Sequence, residues 1–260
     1  MNETSLKKTL AKLNIGGLRY FDSIGSTNDE ALAWAASGAK DFSLVIADEQ
    51  TRGRGRLHRT WHTPKGSALA VSVILRPDEK IKPHLSRTVG LAALAVTDSL
   101  LRLGLKAKIK WPNDILITDK KTAGILVESV WSGSDVDSLV IGIGINVYKT
   151  SVPPQDSLRF PATSIEDELH KEPPAREEIL REVLSSLNAW REKIASNELI
   201  KTWEERLAFR GWRAQIISND EVLQTGIIDG LEPDGSLRLH DDNGKPAIVR
   251  FGDVSLRPAA

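Results

Sequence analysis

The spacing of apolar residues divides the chain into helices and strands. Apolar positions recur with the period of a helix from Thr27, across 85–103, across 176–194 and in NELIKTWEERLAF. Unbroken or alternating apolar runs, typical of strands, occur in SLVIADEQ, SALAVSVILRP, KAKIKW, TAGILVESVW and LVIGIGINV. The last three runs follow one another and predict a meander. The proline-rich segment 149–175 is expected to be irregular.

Turn and capping residues set several boundaries of these elements. Thr27, followed three residues later by Glu30, predicts a capping box at the start of the first helix, and Gly38 can end that helix. The second helix is expected to end at Gly104. Turn residues at 119–121 predict a hairpin from ILIT into AGILVE.

The pattern changes in the last fifty residues. Short alternating segments (WRAQIIS, VLQTGIIDGL, SLRLH and AIVRFGDVSL) are separated by the turn sequences NDE, EPDG and DDNGK. This pattern is typical of a small β-barrel. We therefore predict two domains, residues 1–208 and residues 209–260.

Composition and charge argue against several classes of function, including membrane proteins and cysteine-dependent enzymes. The 35 basic residues balance the 35 acidic ones, so the molecule as a whole has no electrostatic reason to coat DNA or an anionic membrane. The N-terminus lacks the apolar core of a signal peptide, and no apolar run is long enough to cross a bilayer. With no cysteine, the chain has no disulfide, thiolate nucleophile or Cys-type zinc site. We expect a cytoplasmic protein with no membrane partner.

The segment TRGRGRLHRTW carries the strongest local signal of chemistry. Its glycines allow a ligand to approach the backbone, and its arginines can converge on a phosphate group. It is neither a Walker loop nor a dinucleotide fingerprint. A solvated basic loop or a nucleic-acid patch is the alternative. His58 and His62 have a spacing known from zinc sites, but a metal-binding helix is not expected in this loop.

Three further segments place polar or small residues on strands. KWPND ends a strand with side chains that can bind a ligand, although the segment by itself favours a turn with a packed Trp. In KTAGIL, a lysine at a strand start can point into a pocket or lie on the surface. In GIGIN, Gly142 and Gly144 share one strand face, which makes space for a ligand, unless they mark a β-bulge.

Together these segments resemble the biotin protein ligases. SIGSTNDEA, QTRGRGRLHRTW, KWPND, KTAGILVE and GIGIN occur in the order and spacing of that family, and the resemblance covers about residues 18–257. It implies an α+β fold, in which a mixed-sheet catalytic domain resembling class II aminoacyl-tRNA synthetases precedes an SH3-like barrel. It also implies that biotin and ATP form biotinoyl-5'-AMP, from which biotin passes to a lysine of a biotin carboxyl carrier protein.

The resemblance assigns roles to individual residues. It implies that Lys121 and Arg56 are catalytic. The implied biotin contacts are Ser26, Thr27, Asn28, Gln50, Gly53, Arg54, Trp61, Lys121, Gly124, Gly142 and Gly144. The implied ATP contacts are Arg54, Arg56, Lys110, Asn113, Asp114, Asn146 and Arg257, with Asp114 also a ligand of Mg²⁺. The implied chemistry is electrostatic stabilisation of a reacting carboxylate and phosphate, which needs no nucleophilic side chain.

Some features distinguish this chain within the family or leave alternatives open. The family usually has glycine where this chain has His58. The roughly 20 residues before the first predicted strand leave no space for a helix-turn-helix, so we expect the monofunctional type with no specific DNA partner. A homodimer is possible. The alternatives are a lipoate or octanoate ligase and a non-catalytic basic-loop binder of nucleic acid.

Overall fold

The fold is described from a computed structural model, which covers residues 1–158, 160–218, 221–250 and 255–258, with backbone alone at 157 and 255–258. The helices are α1 (Glu3–Leu10), α2 (Thr27–Ala36), α3 (Thr88–Arg102), α4 (Ile165–Leu169), α5 (Arg176–Arg191) and α6 (Asn197–Glu205). Short 3₁₀ helices occupy Lys82–Arg87, Lys149–Ser151 and Gln155–Ser157. The strands of the larger sheet are β1 (Gly17–Phe21), β2 (Ser43–Ala47), β3 (Ala68–Leu75), β4 (Ala107–Lys110), β5 (Asp114–Ile117), β6 (Lys120–Ser132) and β7 (Asp135–Asn146). Those of the smaller sheet are β8 (Arg213–Ser218), β9 (Glu221–Leu231), β10 (Leu237–His240), β11 (Pro246–Val249) and β12 (Ser255–Pro258).

The larger sheet is mixed and has the strand order β1-β2-β3-β7-β6-β5-β4. β1 runs parallel to β2, and the other neighbouring strands are antiparallel. β3 is buried along its whole length because helices cover both faces of the sheet. α2 packs on one face through a cluster that contains Ala31 and Val140, whereas α3 contributes to the main core. The mixed α+β architecture agrees with the sequence prediction.

The structure corrects several predicted boundaries. α1 lies in a region where no element was predicted, β1 begins near the expected start of the first strand, and α4 lies within the segment expected to be irregular. The predicted second helix begins as a 3₁₀ helix before α3. The hairpin turn is at Thr118 and Asp119, both with positive φ, one residue earlier than predicted.

The predicted capping box at Thr27 is wrong. Ser26 is the N-cap residue of α2, and no side chain caps the helix there. The hydroxyl of Thr27 instead contacts Gln50 and Ser72, because the start of α2 is buried against the sheet.

The smaller sheet packs directly against the larger unit. Its strand order is β11-β10-β9-β8-β12, and its neighbouring strands are antiparallel. The indole N–H of Trp111 donates to the carbonyl of Gly235 (3.1 Å), and the Glu204 carboxylate accepts from the amide of Leu231 (2.8 Å). Ile228 and Leu237 belong to the same hydrophobic cluster as the core of the larger unit. The boundary at 208/209 stays a prediction, since the core is continuous across it.

Among the described residues, no helix combines the length and the apolar content needed to cross a membrane.

Gly90 of α3 packs against Trp203 of α6. A Cβ added at Gly90 would lie 2.0 Å from the Trp203 ring, and Trp203 is completely buried. The helices can therefore pack at this separation only because residue 90 has no side chain.

We predict that Gly90→Ala destabilises the protein by about 1–3 kcal/mol, because overpacking outweighs the higher helix propensity of Ala. Urea unfolding measures this change. Gly90→Ala should cost less free energy of unfolding in a Trp203→Leu background than in the parent, because the smaller side chain leaves space for the added methyl group. An Ala variant as stable as the parent would contradict the packing described here.

Candidate active site

A cavity of about 530 Å³ lies between the larger sheet, the start of α2, the β4–β5 turn and the segment 51–62, here called the Arg/Gly loop. Most of the residues that sequence analysis assigned to a site line it. They are Ser26, Thr27, Asn28, Gln50, Arg54, Arg56, Trp61, Lys110, Asn113, Asp114, Lys121, Gly124, Gly142, Gly144 and Asn146.

Among the described side chains, one predicted site residue, Gly53, lies outside this lining. Gly53 is buried behind the cavity wall, where an added Cβ would lie 2.3 Å from the carbonyl oxygen of Trp61. Arg257 lies in β12, and its side chain is outside the described residues.

Three glycines leave part of the cavity floor without side chains. Gly124 pairs with Gly144, and Leu126 pairs with Gly142, so the three glycines share one face of β6 and β7. A Cβ at Gly144 would lie 2.3 Å from the ring of Trp61, and one at Gly142 would lie 2.2 Å from Asn28 Oδ1. The pairing of β7 is regular through this region, so the β-bulge alternative for its glycines is wrong.

A β-bulge does occur on β6, and it directs Lys121 into the cavity. Ala123 pairs with Ile115, and Lys121 pairs with Leu116, which leaves Thr122 as the extra residue. In a regular strand without the bulge, Lys121 would share the face of Ala123 and point into the hydrophobic core. The bulge places it on the face of Gly124 instead, with its Nζ 5.4 Å from the ring centroid of Trp61.

A buried carboxylate lies between two lysines beside the glycine floor, where Asp114 pairs with Gly124. Asp114 Oδ1 is 2.5 Å from Lys121 Nζ, and Asp114 Oδ2 is 3.4 Å from Lys110 Nζ. Burial alone would raise the pKa of Asp114, but the positive charges of Lys121 and Lys110 lower it to about 2. Lys110 also lies over the ring of Phe160 (4.7 Å). This side of the cavity therefore carries a net positive charge, because one carboxylate neutralises only one of the two lysines.

These ligands do not fit a metal ion held by the protein alone. Both oxygens of Asp114 face ammonium groups. No group of three or more His, Cys, Asp or Glu side chains that could hold a metal occurs among the described residues. The Mg²⁺ role of Asp114 stays a prediction that this geometry does not support, because protein-bound Mg²⁺ takes oxygen ligands without competing cations.

Asparagine side chains fix the backbone around the cationic side. Asn113 Nδ2 donates to the carbonyl of Ile125 (2.8 Å), and its Oδ1 accepts from Arg56 Nη1 (3.2 Å). Asn146 Nδ2 donates to the carbonyl of Thr163 (3.1 Å). Asn113 therefore joins β6 to the Arg/Gly loop, and Asn146 joins β7 to the segment that contains Thr163.

A polar network lines the other side of the cavity. Gln50 Oε1 accepts from the amide and the hydroxyl of Thr27 (2.8 and 3.1 Å), and Gln50 Nε2 donates to Thr63 Oγ1 (3.0 Å). Ser72 Oγ lies 2.8 Å from Thr27 Oγ1 and 2.6 Å from Asn28 Oδ1. The network fixes the predicted biotin-side residues relative to β3.

The Arg/Gly loop contacts the sheet and the β4–β5 turn at three places. Arg54 forms a bidentate ion pair with Glu128 (2.9 and 2.7 Å), and Arg56 contacts Asn113. Trp61 lies on the glycine floor, where its buried indole N–H finds no acceptor among the described residues. An orphaned donor at the bottom of a cavity indicates a place where a ligand can bind.

The tip of the loop is a strained turn. Leu57 and His58 have φ of 57° and 56°, in the left-handed region that favours glycine. Such a conformation costs a residue with a side chain about 1–3 kcal/mol. His58 therefore stands where the resembled family usually has glycine. The backbone conformation at this position is one that favours glycine.

Several residues of the site have no role predicted from the sequence. Ser72 was detectable, since it is the polar residue inside the apolar run ALAVSVIL. Glu128 ends the segment KTAGILVE, but nothing in the sequence showed that it would meet Arg54. Phe160 lies in the segment expected to be irregular.

Comparison of the sequence with known proteins identifies similar families and relatives. The Biotin/lipoate A/B protein ligase family matches residues 20–146, and the Biotin protein ligase C terminal domain matches residues 214–257. A biotin–[acetyl-CoA-carboxylase] ligase of Mycobacterium tuberculosis is 33% identical over 266 residues, which cover 98% of this chain and 95% of that protein. The bifunctional ligase/repressor BirA of Bacillus spizizenii is 45% identical over 149 residues, or 57% of this chain. That match spans 46% of the relative, so the chain covers about half of its length.

The fold is similar to that of solved structures. A biotin protein ligase from Aquifex aeolicus, in complex with biotin and ATP, superimposes with a TM-score of 0.79 at 26% identity. The superposition covers 94% of this chain and 99% of the other.

We predict that Asp114→Asn lowers the free energy of unfolding at pH 6 by about 2 kcal/mol. The folded-state pKa of Asp114 lies below its ordinary value of 3.8, so the ionised form stabilises the fold above about pH 4. This contribution is lost as the pH falls towards 2, where the parent and the variant should have similar free energies of unfolding. Urea unfolding between pH 6 and pH 2.5 measures it.

Asp119→Asn, in the exposed β5–β6 turn, is the matched control and should behave like the parent. If Asp114→Asn lowers the free energy of unfolding by the same amount at every pH, the ionised carboxylate is not the stabilising group.

Proposed function

The chain belongs to the biotin protein ligase family, and we propose that it is an ATP-dependent ligase that acts in two steps. It first activates biotin as biotinoyl-5'-AMP, and it then transfers the biotinoyl group to one lysine of a biotin carboxyl carrier protein. A single observation carries the proposal: one cavity joins an uncharged, glycine-floored part to a cationic part.

The uncharged part suits the bicyclic head of biotin. The three glycines let Trp61 and Asn28 lie directly against the strand backbone, so a flat ring system would bind beside Trp61 in the cavity. Thr27 and Gln50 offer hydrogen-bonding groups at its edge, which a buried ureido group needs because an unpaired polar group is costly. The carboxylate of biotin would then extend towards Lys121.

The cationic part suits the first reaction step. A carboxylate oxygen of biotin bonds to the α-phosphorus of ATP, while the bond to the bridging oxygen of the β-phosphate breaks and pyrophosphate leaves. Negative charge is concentrated between the two reactants, and Lys121 and Arg56 stabilise it without taking part covalently. Asp114 neutralises Lys121 before the substrates arrive, and it keeps the lysine aligned.

In the second step the lysine amine of the carrier bonds to the carbonyl carbon of the adenylate. The carbon–oxygen bond breaks, AMP leaves with its electron pair, and the amine loses a proton. The adenylate reacts with water, so it must be held behind the Arg/Gly loop until the carrier arrives. Arg56 can hold its phosphate with two N–H donors.

The competing functions fit less well. A lipoate or octanoate ligase shares the broader family, but the match to the Biotin protein ligase C terminal domain favours biotin. A nucleic-acid binder needs basic side chains along an exposed face, whereas Arg54 is paired with carboxylates and Arg56 contacts Asn113.

Several finer features also belong to this proposal. They are the likeness of the larger unit to class II synthetases, the SH3-like class of the smaller sheet, the contribution of Arg257 to ATP binding, a cytoplasmic location and assembly as a homodimer. The Mg²⁺ of this reaction would arrive with the phosphates of ATP.

ATP–pyrophosphate exchange tests the function. We expect exchange only when biotin is present, and we expect a mass increase of one biotinoyl group on an added biotin carboxyl carrier domain. Lipoate and octanoate serve as controls. Exchange that depends on lipoate, or that needs no acid, would reject the proposal.

We predict that Lys121→Gln lowers biotin-dependent exchange about 10²–10³-fold, because the substitution removes the charge and little volume. Lys120→Gln is the matched control, since the neighbouring lysine is exposed and pairs with Glu168 on the surface. Circular dichroism should show that both variants are folded. Unchanged exchange in Lys121→Gln would remove Lys121 from the reaction.

A further inference from the structure

Ser72 is the polar residue of the otherwise apolar strand β3, and it contacts two residues of the uncharged part of the cavity. Its side chain is completely buried, and its hydroxyl oxygen lies 2.8 Å from Thr27 Oγ1 and 2.6 Å from Asn28 Oδ1. Thr27 and Asn28 line the cavity, whereas Ser72 lies behind them. Ser72 can therefore influence a ligand only through these two side chains.

Neighbouring donors and acceptors fix the orientation of the two side-chain amides in this network. Asn28 Nδ2 donates to a carboxylate and a backbone carbonyl of β6 (2.8 and 3.4 Å), so Asn28 Oδ1 faces Ser72. Gln50 Oε1 accepts from the backbone amide of Thr27 (2.8 Å), and Gln50 Nε2 donates to Thr63 Oγ1 (3.0 Å). Both amide oxygens carry no hydrogen and can only accept.

The hydrogens available to this network can be counted. Three contacts between oxygen atoms (2.6, 2.8 and 3.1 Å) join four side chains in a row, in the order Asn28, Ser72, Thr27 and Gln50. The two hydroxyl groups bring one hydrogen each. The 2.6 Å contact takes the hydrogen of Ser72, because Asn28 Oδ1 has none. The hydrogen of Thr27 is then shared between Ser72 and Gln50, so the network among the described residues is one hydrogen short.

We infer that Ser72 is a specificity-determining residue, which makes the uncharged part of the cavity select a ligand with an N–H donor. The hydroxyl hydrogens of Ser72 and Thr27 are both engaged within the protein, so Thr27 Oγ1 and Gln50 Oε1 remain as acceptors. A ligand N–H supplies the missing hydrogen, whereas a ligand oxygen at the same place would meet lone pairs. For biotin, whose ureido group has two N–H groups, this selectivity rests on the ligase proposed above.

Calorimetry with biotin and two analogues measures the selectivity. Each analogue is a cyclic carbamate in which an oxygen atom replaces one of the two ureido N–H groups. We expect the parent to bind at least one analogue about 100-fold more weakly than biotin, because its ring oxygen then faces acceptors. In Ser72→Ala the hydrogen of Thr27 can turn towards the ligand, so the same ratio of affinities should fall to about tenfold.

Ser43→Ala is the matched control for this measurement. Ser43 is a completely buried serine on the adjacent strand β2, and its hydroxyl has no hydrogen-bond partner among the described residues. The ratio of affinities should therefore be the same in Ser43→Ala as in the parent. An unchanged ratio in folded Ser72→Ala, or an equal fall of the ratio in Ser43→Ala, would overturn the inference.

Urea unfolding without any ligand tests the hydrogen bond that Ser72 donates to Asn28. Ser72→Ala should raise the equilibrium constant for unfolding about tenfold, because the buried amide oxygen of Asn28 loses its donor. Asn28→Ala removes that acceptor, so Ser72→Ala should raise the constant much less in an Asn28→Ala background. Additive effects of the two substitutions would contradict the assigned direction of this hydrogen bond.

The two experiments separate the inference from the proposed function. A parent protein that binds no biotin would reject the ligase, and the unfolding cycle would still test the hydrogen bond of Ser72. A parent that binds biotin and both carbamates equally well would reject the specificity role of Ser72 and leave the ligase standing.

Discussion

The bare strand face formed by Gly124, Gly142 and Gly144 is the constraint on which the site depends. A buried sheet face without side chains leaves a gap unless other elements fill it, because protein interiors are close-packed. Trp61 and Asn28 approach this face so closely that a single added methyl group would collide with them. The start of α2 and the Arg/Gly loop therefore lie against the sheet, with a cavity left between them.

The protein's own side chains balance charge within this cavity. Asp114 pairs with Lys121 and Lys110, and Glu128 pairs with Arg54. An arriving anion therefore meets cations that are already oriented, and it competes with carboxylates that hold them in place. Such preorganisation suits a reaction in which the protein stabilises charge and forms no covalent bond.

The smaller sheet contacts residues that line the cavity or lie next to them. Trp111, which lines the cavity, donates to Gly235 in the β9–β10 turn. Arg87, at the start of α3, donates to the carbonyl of Pro233 in the same turn. The core is continuous from α6 into this sheet. The two parts of the protein therefore contribute jointly to the geometry of the β4–β5 turn.

The sequence by itself determined most strands, the main helices, the glycine face and the residues of the cavity, because these follow from local periodicity and from recognisable segments. Tertiary structure decided which way those residues point. The bulge at Thr122 turns Lys121 from the core to the cavity, burial diverts Thr27 from helix capping, and Arg54 meets Glu128 across 74 positions of sequence. Strand register and long-range charge pairing depend on packing between distant segments, which local spacing does not encode.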